Sequence, residues 1–144
     1  MDNNINLTIL NEINKAAKMG MDSISYVIKK VGDKNMKENL TWQYSEYGKL
    51  LDRVNSEFTK YGEVPDDTPI KDKMMGFVGV ELNTISDKSN SHIAEMMIQG
   101  GNMGLIECQK FLNHNPYADE NIKNILNDFI TIQKNDIEKM KTFL

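Results

Sequence analysis

The chain has little of what site chemistry most often uses. Its 144 residues hold one cysteine, two histidines and a single arginine, Arg53. The lone Cys108 excludes an internal disulfide and fits a reducing compartment. Two imidazoles and one thiol leave few parts for a metal cage, a thiol pair or a phosphate clamp. The other basic residues are all lysine, and with 21 acids the formal net charge is −4. That balance argues against nucleic acid as a partner, because such binding needs a basic face and usually arginine for bidentate contacts. Three prolines and nine glycines break the chain rarely, which favours helix. The longest weakly polar stretch, Met74 to Val80, is far short of the ~20 residues a membrane span needs. Residues Met1-Asp2-Asn3-Asn4-Ile5-Asn6 carry neither the basic nor the apolar segment of a secretory leader, so a cytoplasmic protein is expected.

What is present is the composition of a soluble globular domain, 40% hydrophobic and 26% charged. The length suits one domain spanning residues 1–144. In the first stretch Ile9, Ile13, Ala16, Ala17, Gly20, Ile24, Val27, Ile28 and Val31 recur at three- and four-residue steps, the period of one helix face. Gly32 suits a left-handed C-terminal position and Asp33 an N-cap, so an antiparallel hairpin follows at once. The second stretch runs Met36, Leu40, Tyr44, Tyr47, Leu51, Val54, Phe58 and Tyr61, a bundle seam that stops at Gly62.

From Ile70 to Asn113 the helical pattern lasts about 44 residues, ~65 Å at helical rise, which exceeds its neighbours. A break near Ser86-Asp87 resolves this by making 70–85 a separate crossover helix over an apolar face of Met74, Phe77, Val78, Leu82 and Ile85. One long projecting helix is the alternative. The last stretch, to Leu144, turns Ile122, Ile125, Leu126, Phe129, Ile132, Ile137, Met140 and Phe143 inward. The expected fold is all-α, a ferritin-like four-helix bundle with an extra helical crossover segment around 70–85; an up-down-up-down bundle is the alternative topology.

The string Asp87-Lys88-Ser89-Asn90-Ser91-His92-Ile93-Ala94-Glu95-Met96-Met97-Ile98-Gln99-Gly100, with Lys18-Met19-Gly20-Met21-Asp22 upstream, resembles an uncharacterised ferritin-like bundle family of clostridia and related low-GC bacteria. The resemblance implies a fold and a source but no reaction. Di-iron members of the wider superfamily supply Glu-x-x-His from two helices. No such motif occurs here: Ser89 precedes His92 by three residues and Phe111 precedes His114.

One polar constellation stands out. Lys88, His92, Glu95 and Gln99 form a ridge beside an apolar stripe, and counting outward from a turn near residue 115 sets Glu95 level with Asp136. Asp136 falls in the apolar sector of its own helix, where a carboxylate must be paired or solvated. His92, Glu95 and Asp136 would suit one mononuclear N/O site for Zn, Mn or Fe, with Gln99 and Gln133 behind them. The plainer alternative pairs Lys88 or His92 with Asp136, and Glu95 with Lys139, fixing helix register without a metal or other cofactor. Trp42 lies opposite its seam beside Glu38, Ser45 and Lys49 and needs cover from the 70–85 segment or from a second subunit; Trp42, Met74, Phe77 and Val78 are the expected interface of a homodimer. Cys108 has no histidine in helical register and reads as a buried small hydrophobe. The preferred function is a non-catalytic bundle acting through protein contacts. The alternatives are a metal-binding bundle and a carrier of a small apolar ligand beside Gly100–Gly104, where missing side chains leave room.

Overall fold

The computed structural model describes residues 3–66 and 89–144. Within them lie four helices, α1 (Asn3–Ile28), α2 (Lys34–Lys60), α3 (Asn90–His114) and α4 (Glu120–Lys141), and no strand. The 70–85 segment with Met74, Phe77 and Val78, and the Ser86-Asp87 break, lie outside the described residues. Local chemistry sets most helix ends. The Asp33 carboxylate accepts the Met36 amide at 2.8 Å at the start of α2, and the Ser89 hydroxyl accepts that of His92 at 3.3 Å at the start of α3. α2 stops in a Schellman motif: Gly62 at φ 68° lets its amide reach Thr59 and that of Glu63 reach Phe58. Gly32 does not take the left-handed conformation expected of it, since Gly62 is the one residue with positive φ among those described. Asp119, at the N-cap position of α4, makes no side-chain cap and instead accepts a hydrogen bond from the Tyr61 hydroxyl.

Contacts along the helices fix their directions. Tyr61 meets Asp119, Arg53 meets Asp128 at 2.6 Å and Tyr47 meets Asp136 at 3.2 Å, so α2 and α4 are antiparallel. Gly101 faces Ile137 and Gly104 faces Gln133, so α3 and α4 are antiparallel too. α2 and α3 therefore run parallel, and Asp66 and Ser89 stand at opposite ends of the bundle. The amide of Asp119 donates to Asn6 Oδ1 at 3.0 Å, which places the starts of α1 and α4 at one end. An alternating up-down-up-down order is thus excluded.

The core combines Ile9, Leu10, Ile13 and Ile24 of α1 with Met36, Leu40, Leu50 and Phe58 of α2, and Ile93 of α3 with Ile122 and Phe129 of α4. Burying each of these contributes about 1.5–3 kcal/mol. The buried face of α2 differs from the expected one: Met36, Leu40, Gln43, Tyr47, Leu50, Val54 and Glu57 follow an unbroken 3-4 alternation. Tyr44, expected in the seam, is exposed, and Leu51 is half-buried. Met36, Leu40, Tyr47, Val54 and Phe58 belong to both faces, and the difference lies at Gln43, Leu50 and Glu57, two of them polar. Glu57 is satisfied by Lys60 at 2.7 Å; Gln43 leads to the site.

Candidate functional site

A cavity of about 160 Å³, partly open to solvent, lies among the helices and is lined from all four. α1 and α3 contribute mainly small and flexible apolar residues, among them Ala16, Met19, Met96, Met97, Gly100 and Met103. Gln43 and Tyr47 of α2 with Gln133 and Asp136 of α4 form a polar wall. Each of these four is at most 8% exposed. Glycine makes the arrangement possible. A methyl group on Gly20 would stand 2.8 Å from the Tyr47 ring, and one on Gly104 2.4 Å from Gln133 Nε2. Glycines of α1 and α3 thus admit large side chains from α2 and α4. Tyr47 is held further by an edge-on contact with Phe129, ring centres 5.7 Å apart.

The Tyr47 hydroxyl donates to Asp136 Oδ2 at 3.2 Å. Asp136 Oδ1, Gln133 Oε1 and Gln43 Nε2 are buried and have no hydrogen-bond partner among the described residues. Three such groups around one cavity are unusual, since each ordinarily costs about 1–3 kcal/mol if left unmet. Asn6 Nδ2 and Asn14 Nδ2 are also buried and unpartnered, but neither asparagine lines the cavity. Burial pushes the Asp136 carboxyl up to about 7, against the opposing pull of the Tyr47 hydrogen bond and Lys139. Burial first, then the charge of Asp136, drives the Tyr47 hydroxyl well above its usual range. Cys108 also lines the cavity, and burial lifts its thiol to about 12, so it is no nucleophile near neutral pH.

The residues singled out in the sequence are placed as follows. Asp136 does turn inward. His92 and Glu95 stand together, 4.0 Å from Nδ1 to Oε2, but on a solvated face with side chains 35% and 59% exposed. Glu95 is not level with Asp136. The contacts of Gly101 with Ile137 and Gly104 with Gln133 set Asp136 against about residue 102, and Glu95 lies about seven residues, ~10 Å, further along α3. The counting centre was misplaced because the connection runs through residues 115–119 and the α3–α4 pair is centred near its far end. Among the described residues no group of three or more His, Cys, Asp and Glu is arranged to hold a metal ion. Lys139 does not pair with Glu95; its ammonium lies 3.3 Å over the Trp42 ring. Trp42 is 37% exposed and leans on α4 through that contact. The cavity lies beside Gly100–Gly104, the place where the sequence left room, although Ile137 and Gln133 fill the space at Gly101 and Gly104.

Sequence reasoning missed Gln43 and read Tyr47 only as a seam residue. The strict 3-4 alternation from Met36 to Glu57 was the signal for both. No helix of the described residues is long and apolar enough to cross a membrane. No family model matches the chain, and no curated protein matches it. Among solved structures, YcfI from Rhodopseudomonas palustris is similar in fold, with 16% sequence identity, a TM-score of 0.62, and coverage of 94% of this chain and 90% of that one. The likeness is one of fold alone.

Proposed function

We propose that this bundle binds one small molecule in its interior, with an apolar body among the methionines and a polar group against Gln43, Gln133 and Asp136. The observation that carries the reading is that three residues lining one cavity, Gln43, Gln133 and Asp136, each keep a buried polar atom without a partner among the described residues. Native interiors seldom leave such atoms unmet, and a few convergent polar groups in a mainly apolar pocket are the usual form of a ligand site. An apolar cavity of about 150 Å³ takes up benzene, so about 160 Å³ suits a ring or a short chain. The ligand of the sequence-based alternative was purely apolar; the polar wall favours an amphiphilic one. A ferritin-like arrangement belongs to the same proposal, supported by the parallel α2 and α3, which require a single long connection between them.

The test is thermal unfolding with and without benzyl alcohol. A rise in Tm that saturates is expected for the natural chain, because a ligand that binds only the folded state stabilises it by mass action. Ala16 lines the cavity, and Ala16→Leu should fill it, abolishing the shift while the helical circular dichroism persists. Equal shifts in both proteins would contradict an interior site.

A further inference from the structure

Resting on the proposal of an interior ligand site, we infer that the ligand's polar group is a cation, a primary ammonium on a ring or short apolar chain, seated between Asp136 Oδ1 and Gln133 Oε1. The first support is the direction of the unmet hydrogen bonds. With Asp136 ionised both atoms are acceptors, each on a side chain at least nine-tenths buried, and neither has a donor among the described residues. An ammonium brings three donors and no acceptor, so it satisfies both and leaves one for Gln43, whose carboxamide exchanges oxygen for nitrogen by a half-turn about its last bond. A hydroxyl brings a single donor and leaves one acceptor unmet.

The second support is charge. Asp136, Glu12 and Glu107 line the cavity, and no lysine, arginine or histidine does so among the described residues. Lys139, one turn from Asp136 on the same helix, lies over the Trp42 ring. A carboxylate ligand would meet like charge without a compensating cation among the described lining residues. An ammonium would meet opposite charge at the buried Asp136 carboxylate, and charge-assisted hydrogen bonds are roughly twice as strong as neutral ones. The third support is positioning. The Tyr47 hydroxyl occupies Oδ2, and Tyr47 is itself wedged against Gly20 and Phe129, so the carboxylate is held with Oδ1 left over for a ligand.

The experiment compares three probes of one size by titration calorimetry at pH 7: benzylamine, benzyl alcohol and benzoate. Benzylamine is expected to bind at least about tenfold more tightly than benzyl alcohol, as one added charge-assisted hydrogen bond implies, and benzoate not to bind. Asp136→Asn should remove the preference for the amine while changing the affinity for the alcohol less than about threefold. Gln133→Leu should weaken the amine more than the alcohol, which keeps the test open if the first variant folds poorly. If alcohol and amine bind the natural chain equally, or Asp136→Asn keeps the amine preference, the ammonium assignment is overturned and the cavity reading stands on the alcohol. If none of the three probes binds, both readings fall together.

Discussion

Two polar clusters lie on this bundle, and their surroundings separate them more than their residue types do. His92 and Glu95 stand one turn apart on the outer face of α3, hydrated and within 4.0 Å of each other. Asp136 with Gln43, Tyr47 and Gln133 sits inside, where water does not reach most of its atoms. The exposed pair has the more familiar ligand chemistry, imidazole and carboxylate. The buried set holds a carboxyl near pH 7 and keeps three hydrogen-bonding atoms unmet. Free energy is stored where solvation is withheld, so the interior cluster is the one able to discriminate between ligands.

The largest effect that sharpens this contrast concerns pH. The folded-state pKa of Asp136, about 7, lies above the ordinary carboxylate value. A group raised in this way contributes stability fully below pH ~4 and loses it as pH climbs through about 7. Asp136→Asn is therefore expected to stabilise the fold at pH 8 by as much as about 4 kcal/mol and to change little at pH 4. Urea unfolding at the two pH values checks this; equal effects at both would break the contrast between the clusters. A smaller effect is expected of Gly20→Ala. Its methyl group would press on the Tyr47 ring, and overpacking of that kind costs about 1–3 kcal/mol, read as a lower Tm. The smallest belongs to the exposed cluster: His92→Ala should alter stability by less than about 0.5 kcal/mol at any pH from 5 to 8 and leave the binding of benzyl alcohol unchanged. A loss of several kcal/mol there would show that α3 uses its outer face in a way the two clusters do not distinguish.

The architecture was legible to the extent that apolar spacing reports it. The α1–α2 hairpin, the stop at Gly62 and the Asp33 cap follow from local chemistry that is already complete in the sequence. Most of the buried face of α4 was legible for the same reason, and so was the inward turn of Asp136, because an acid in an apolar sector is visible on a helical wheel. Gln43 was not, since a polar residue at a seam position looks like an interruption, and the reading shifted the stripe to the exposed Tyr44. The partners of Asp136 were misassigned for a different reason. Relative height between helices depends on how many residues the connection consumes, and a few residues of error there displaced Glu95 by two turns. Contacts across a bundle are set by connection geometry and by glycines that admit a facing side chain, neither of which periodicity records.

The most direct measurement is a crystal structure of the chain grown with benzylamine, read at the cavity lined by Gln43, Gln133 and Asp136. The account predicts the ring among Met96, Met103 and Ala16, with its nitrogen in hydrogen-bond distance of the Asp136 carboxylate. Density for ordered water alone, satisfying all three groups, or a collapsed interior without room for a ring, would contradict it.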